Sequence, residues 1–302
     1  MAFTLPTDIR NRPVAVIGAG TLGRRIALMF ATQGGLVRIY DKSRQSGEAA
    51  RSYVEQHVAE VAAGIEGGAA GRVAVTDDLT EAVLDCWLVV EAVPERLDLK
   101  KEIFGQLDGA APSDAIVASN SSSYATSEFI DRVQHPERVL NMHFYMPPHQ
   151  NAVDLMSDGH TDPGIFDLLK RELPRFGVFP FVAHKESTGF IFNRIWAAIK
   201  REALEVVAEG VSTPEDVDGM WKINTGLDAG PFRMMDQVGL DVVLDIENHY
   251  AQESPHLPAG PRELLKEYVD QGHLGVKTGR GFYTYESPSV GTTGIRPQQA
   301  EA

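Results

Sequence analysis

The chain has 302 residues, 43% of them hydrophobic, and a formal net charge of −14, a size that accommodates two domains with a buried core. It holds no apolar run long enough to span a bilayer and no basic cluster of the kind that nucleic acid or an anionic membrane requires, so neither is expected as a partner. The start lacks the pattern of a secretory signal, the end is not a peroxisomal address, and the lone cysteine, Cys86, excludes an internal disulfide, which together point to a reducing, cytoplasmic setting.

Taken in chain order, the first signal is "VAVI", Val14–Ile17, a run suited to a buried parallel strand. Gly18-Ala19-Gly20-Thr21-Leu22-Gly23 follows at once, then a helical pattern, a Gly34-Gly35 break and a second strand, Leu36–Tyr40, ending in Asp41. A G-x-G-x-x-G between strand and helix, closed by an acid at the end of the next strand, is the context that dinucleotide binding requires. Gly18 permits a tight turn, Gly20 lets the backbone approach a pyrophosphate, Gly23 allows close helix–strand packing, and the helix N-terminus at Thr21 and Leu22 offers free N–H groups. Asp41 is placed to accept from the ribose hydroxyls and to repel a 2′-phosphate, so NAD is expected over NADP, although Lys42 and Arg44 lie close by.

Downstream, a helix is expected over 47–68, a strand at "VAVTDDL", a buried strand over 87–90, a loop over 91–95, and a helix carrying Leu99, Ile103 and Leu107. Strands follow at 115–118, at "RVLNMHFY" and at "FGVFPFVAH". Strands alternating with helices argue for an α/β fold with a Rossmann-like doubly wound sheet. After His184 the pattern turns helical, starting with "STGFIFNRIWAAIKREALEVVAEG" and then a helix with Thr213 as N-cap and Pro214 at its first position. The expected organisation is a nucleotide-binding domain over 1–185, an all-α domain over 186–286, and a Gly/Pro/Thr/Gln-rich disordered tail over 287–302. Cys86 opens a buried strand and reads as packing. No metal site is expected. His143, beside Phe144 and Tyr145, reads either as a packed core side chain or as a proton carrier.

These pieces together resemble the L-3-hydroxyacyl-CoA dehydrogenases from Pro13 to Tyr285. The stretches that carry the resemblance are "VAVIGAGTLGRRIA", "VVEAVPERLDLKKEIF", "ASNSSS", "HFYMPP", "ESTGFIFNR", "GPFRMMDQVGLD" and "GVKTGRGFY". The resemblance implies that His143 is the acid/base, that Asp154 stands where a glutamate orients it, and that Ser122 and Asn193 hold the substrate. Ser121 and Ser123 are near enough to be confused with Ser122. It places Glu95 and Lys100, with Ser122, near the nicotinamide end of the cofactor, and it implies a homodimer formed by the helical domain. The chemistry is coherent, because imidazole, with an unperturbed pKa of about 6.5, can take a hydroxyl proton near neutrality and return it.

Three departures bear on the substrate. Aspartate replaces the glutamate in "AVDLM", one methylene shorter. Met146 replaces an asparagine three residues past the histidine and cannot hydrogen-bond as it does; the plain alternative for it is gap-filling packing. The segment from Ser52 to Gly71, which in the family carries basic residues for the CoA phosphates, has no Lys or Arg but has Glu55, Glu60 and Glu66. "HFYMPP" is also similar to the L-gulonate 3-dehydrogenases, which act on free hydroxy acids; Lys222 and Arg233 are loose candidates for the cation such a substrate needs. The expectation is therefore NAD-dependent interconversion of an L-3-hydroxyacyl compound and its 3-keto partner, with a small-molecule substrate, acyl-CoA or a free acid. Alternatives are a gulonate-like or specialised non-CoA substrate, and an NAD-binding protein without catalysis.

Overall fold

The computed structural model describes residues 3–285; the tail expected from 287 onward lies outside the described residues. The chain divides into two compact units, Met1–Ile191 and Phe192–Ala302.

The first unit is built on an eight-stranded sheet of order β3-β2-β1-β4-β5-β6-β7-β8. Its strands are β1 (Val14–Ile17), β2 (Leu36–Tyr40), β3 (Arg72–Thr76), β4 (Leu88–Glu91), β5 (Ile116–Ser119), β6 (Val139–Met146), β7 (Gln150–Met156) and β8 (Phe179–Ala183). β1 to β6 run parallel, β7 turns back antiparallel to β6, and β8 runs parallel to β7. Helices α1 (Thr21–Phe30), α2 (Arg44–Ala63), α3 (Leu79–Val83), α4 (Leu97–Ala110) and α5 (Pro163–Glu172) complete it. Alternation along β1 shows why the strands read as unbroken apolar runs. Val14 and Val16 join one core layer with Ile26, Phe30 and Val54, while Ala15 and Ile17 join the other with Ile103, Phe104 and Leu107. A strand covered on both faces, as β1 is, favours an apolar side chain at every position.

The strand order reverses between β1 and β4, which leaves a crevice at their carboxyl ends where nucleotides bind in such sheets. β6 pairs with β5 only as far as Ser119↔Asn141. Residues 142–146 therefore run past the end of β5, and His143 stands beside the loop that follows it.

α2 begins three residues earlier than expected and stops at Ala63, because Ser43 caps it by accepting from the Ser46 amide and Gly64 ends it. β7 and α5 went unassigned in the sequence. β7 carries a buried acid in mid-strand, which obscures its pattern, whereas α5 has the Asp162-Pro163 start that its sequence displays.

The second unit contains α6 (Phe192–Ala208), α7 (Pro214–Thr225), α8 (Pro231–Val238), α9 (Leu240–Glu253) and α10 (Gly260–Asp270) around Leu204, Phe232, Met235, Leu240, Val243, Leu265 and Phe282. α6 starts at Phe192 rather than at Ser187, because Gly189 and Phe190 both take positive φ, 73° and 53°, which interrupts a helix. Thr213 caps α7 as its sequence indicates. Two buried carboxylates organise this unit. Asp218 accepts from the Phe232 and Arg233 amides at the start of α8 and from the Tyr283 hydroxyl. Asp236 accepts from the Phe282 and Tyr283 amides at 3.0 Å and from the Tyr285 hydroxyl at 2.8 Å. Burial and then the bond to Asp236 push the Tyr285 hydroxyl up to about 12. A side chain at Gly281 would lie 2.0 Å from the Asp236 carboxylate, so "GRGFY" needs its glycine there.

Replacing Asp236 with alanine leaves one buried donor, the Phe282 amide, and two half-buried ones, the Tyr283 amide and the Tyr285 hydroxyl, without their acceptor, at about 1–3 kcal/mol for the buried one and less for the others. The Asp236→Ala variant is expected to lose about 3 kcal/mol in a urea titration followed by far-UV circular dichroism. A loss below about 1 kcal/mol would show that water replaces the carboxylate.

Candidate active site

The glycine turn follows β1 directly. Gly18 has a φ of 112°, and a Cβ there would lie 2.6 Å from the Ala92 carbonyl. A Cβ on Gly23 would meet the Gly18 carbonyl at 1.9 Å, whereas one on Gly20 would meet nothing within 4 Å. The protein thus fills the space around Gly18 and Gly23 and leaves that beside Gly20 open, as a pyrophosphate requires. α1 has no side-chain cap and no acidic residue in its first turn, so the amides around Thr21 and Leu22 carry the helix's positive end unopposed. Asp41 accepts from the Ala19 amide at 2.9 Å and from the Ser43 amide at 2.8 Å. A carboxylate has about four acceptor sites, so it retains capacity for two ribose hydroxyls. These residues fit NAD.

A buried charge cluster lies at the ends of β4 and β5. Lys100, 1% exposed, reaches both Glu91 oxygens at 2.9 and 3.1 Å and Glu95 at 3.1 Å. Glu91 also accepts from Ser119 at 2.6 Å and from the Val93 amide. Glu95 accepts from the Ser121 hydroxyl and from the Ser123 amide. Burial alone would push the Glu95 carboxyl up, but Lys100, Ser121 and Ser123 together hold it below its ordinary value. Of the two residues assigned to the nicotinamide end, Glu95 is the one at the surface; Lys100 lies behind it and fixes its position. Ser121 is buried and bonded to Glu95, while Ser122 is exposed, which distinguishes the two serines.

His143 and Asp154 come together through strand register. They are direct partners across the antiparallel β6–β7 pair, and both are buried, at 5% and 3% exposure. The Asp154 Oδ2 lies 3.6 Å from His143 Nδ1 and accepts a hydrogen bond from the Tyr145 hydroxyl. Phe190, held at positive φ, stacks on the imidazole with centroids 4.9 Å apart and planes 2° from parallel. Tyr145 meets the imidazole edge-on at 4.7 Å. Leu140, Met142 and Phe144 point into the core, so Asn141, His143 and Tyr145 share the opposite face of β6. His143 is buried, yet it belongs to a polar face. Asn141 accepts from the Thr126 amide and donates to the Tyr124 carbonyl, and Asn120 accepts from the Phe144 amide, so the serine loop is tied to β6 on both sides.

Asn193 stands in the first turn of α6, in the second unit. Met146 is 39% exposed beside a bulge in the β6–β7 pairing, which overturns the gap-filling reading. Cys86 is fully buried, and burial pushes its thiol up to about 12, consistent with packing. Lys222 and Arg233 line one cleft with Glu215, Asp218 and Asp228, a setting that disfavours an anion. Sequence reasoning did not single out Tyr145, Phe190, Asn120, Asn141 or Glu91. For Tyr145 and Asn141 a signal existed: on a strand, residues two before and two after His143 share its side.

A largely parallel sheet with a glycine-rich turn at its reversal point, and a buried histidine–carboxylate pair further along it on β6 and β7, defines a nucleotide-dependent oxidoreductase. The comparisons agree. The model of the 3-hydroxyacyl-CoA dehydrogenase NAD-binding domain matches residues 13–187, and that of the C-terminal domain of the same family matches 189–285. The chain belongs to the 3-hydroxyacyl-CoA dehydrogenase family; it uses NAD and is an oxidoreductase acting on CH–OH groups. It is 31% identical to a 5-formyl-3-hydroxy-2-methylpyridine 4-carboxylate 5-dehydrogenase of Mesorhizobium japonicum, over 92% of this chain and 91% of the relative. Among solved structures it resembles (S)-3-hydroxybutyryl-CoA dehydrogenase of Ralstonia eutropha, with TM-score 0.81, 28% identity, and coverage of 91% and 99% of the two chains. It also resembles a diketoreductase that acts on dicarbonyl compounds, with TM-score 0.76, 32% identity, and the same coverage. No helix among the described residues is long and apolar enough to cross a membrane.

Gly20→Ala is expected to leave the melting temperature of the unliganded protein unchanged and to weaken NADH binding at least about tenfold by fluorescence titration. Gly23→Ala is expected to lower the melting temperature as well. Equal effects of the two would refute the distinct roles given to these glycines.

Proposed function

We propose that this enzyme interconverts an L-3-hydroxyacyl compound and its 3-keto partner, with His143 as general acid/base. The observation that carries the reading is the buried imidazole with Nδ1 turned toward Asp154, which leaves Nε2 for the substrate. In the oxidative direction Nε2 takes the proton of the 3-hydroxyl, and Asp154 stabilises the imidazolium that results. In reduction the same nitrogen returns the proton to the forming alkoxide. Bound at the Gly18–Gly23 turn and Asp41, NAD supplies the acceptor for the hydride that leaves the substrate carbon. Ser122 and Asn193 are assigned to hold the substrate oxygens, and Glu95, positioned by Lys100, lies at the nicotinamide end.

The acyl-CoA form follows from the family and from the Ralstonia relative. A second reading, a non-CoA acid or ketone, is favoured by α2 and the turn after it, where Glu55, Glu60 and Glu66 are exposed and the last cation, Arg51, pairs with Glu48 and Glu55. The Mesorhizobium enzyme and the diketoreductase are both named for substrates other than acyl-CoA. The test is NADH oxidation with acetoacetyl-CoA, with the same acyl group as an N-acetylcysteamine thioester, and with the free 3-keto acid. Preference for the CoA ester supports the first reading, and equal or faster turnover without CoA supports the second. His143→Ala is expected to lose about 10²- to 10⁴-fold in turnover while still binding NADH. Unchanged turnover in that variant would remove His143 from the mechanism.

The enzyme is further assigned as a cytoplasmic homodimer. In support, α7 exposes Met220 and Ile223, the latter at 84%, with Leu227 just beyond it. Sedimentation equilibrium at micromolar concentration is expected to give twice the chain mass; a monomer would overturn the assignment.

A further inference from the structure

We propose that Tyr145 is a positioning residue for this reaction, governing the proton affinity of His143 through the single Asp154 oxygen that both side chains approach. The inference rests on the assignment of His143 as the acid/base.

The geometry begins with register. β6 presents His143 and Tyr145 on one face, and β7 sets Asp154 directly across from His143. Asp154 is a short side chain for this position. Its Oδ2 stops 3.6 Å from His143 Nδ1, beyond hydrogen-bond range, and that buried nitrogen has no hydrogen-bond partner. The directed bond to Oδ2 comes from the Tyr145 hydroxyl instead. The imidazole cannot readily tilt to close the gap, because Phe190 lies flat against it and the Tyr145 ring abuts its edge. Asp154 thus acts on His143 as a nearby charge, while Tyr145 decides where that charge sits.

A hydroxyl donated to a carboxylate disperses its negative charge and weakens its hold on an imidazolium. Few other groups compete. β8 brings Phe181 alongside Asp154, and the segment after β8 brings Phe190. The acid on that segment, Glu186, is bonded to Ser127. On β6 the neighbouring polar residue, Asn141, is occupied by the serine loop. Among the described residues, Asp154 is the only charged group within ion-pair distance of His143.

Tyr145→Phe removes the donor and keeps the ring. The charge on Oδ2 then falls on the imidazole, and the His143 titration is expected to move up by about one pH unit, a tenfold gain in proton affinity. The direct measurement is a ¹H–¹³C NMR titration of the histidine Cε1 signals in the full chain. The chain has nine histidines, so the signal is assigned with His143→Gln. The acid limb of kcat/KM for alcohol oxidation is expected to move the same way, with the KM for NAD unchanged. Asp154→Asn is expected to shift the titration down, and adding Tyr145→Phe to it should change nothing further, since the shared oxygen no longer carries charge. Incorporation of 3-fluorotyrosine at 145, a stronger donor of nearly the same shape, is expected to move the titration below that of the native protein. It keeps the question open to test even if the phenylalanine variant folds poorly. A His143 titration unmoved in both the phenylalanine and fluorotyrosine proteins would reduce Tyr145 to packing. So would a shift of equal size in the Asp154→Asn background. If the titration moves but no substrate turns over, the assigned reaction fails, the positioning role in it fails with it, and only the hold of Tyr145 on the His143 proton stands. If the enzyme is active and the titration is unmoved, the reaction stands and the role of Tyr145 fails.

Discussion

The chemistry proposed for this chain depends on the antiparallel pairing that places Asp154 across from His143, because successive strand residues point to opposite faces. A slip of one residue between β6 and β7 would turn the acid away from the imidazole and into the core. The register is held from several sides. Leu140, Met142 and Phe144 are buried in the layer formed with α1, which commits the alternate residues to the other face. β8 pairs with β7 along its length and leaves it no freedom to slide. Phe190 closes the arrangement by accepting a left-handed backbone conformation, disfavoured for any residue with a Cβ, and laying its ring on the imidazole.

The same use of strand ends builds the cofactor side. The carboxyl ends of β1, β2, β4 and β5 supply Gly18, Asp41, Glu91 and Ser119 in turn. Two acids, the buried Glu91 at the end of β4 and Glu95 at the surface just after it, would repel each other if left alone. Lys100 from α4 pairs with both, and its hydrogen bonds to Glu91 are joined by those of Ser119 and the Val93 amide. A buried charge with all its bonds made is a rigid support, whereas an unpaired one is strongly destabilising. Glu95 is thereby fixed at the surface, and the serine loop is anchored to it through Ser121 and Ser123. Asn120 and Asn141 tie that loop to β6, so the cofactor side and the histidine side share one hydrogen-bonded frame.

In the second unit, the motifs that mark the family prove to be architectural. "GPFRMMD" and "GRGFY" are two halves of one device, in which Asp236 receives two amides and a hydroxyl from the chain's later segment while Gly281 makes room for it. Asp218 does the same for the start of α8. Buried carboxylates satisfied by backbone amides specify one arrangement of helices more narrowly than apolar packing alone.

Much of this was legible in the residues. Period-two and helical patterns located most elements, since burial on one or both faces imposes them. The glycine turn with Asp41 declared dinucleotide binding, because only glycines tolerate those approaches. "LNMHFYM" already alternates apolar and polar side chains, and so states that His143 and Tyr145 lie on one face. What the chain order could not state was distance across it. Asp154 sits eleven positions from His143, and only the hairpin register brings the two side chains together and shows the acid bonded to Tyr145 rather than to the histidine. Nor could it separate Ser121 from Ser122, or place Lys100 behind Glu95, since burial is a property of the assembled sheet. Local pattern determined the elements and the turn chemistry. Pairing between segments far apart in sequence, governed by register and by the need to satisfy every buried charge, decided the site.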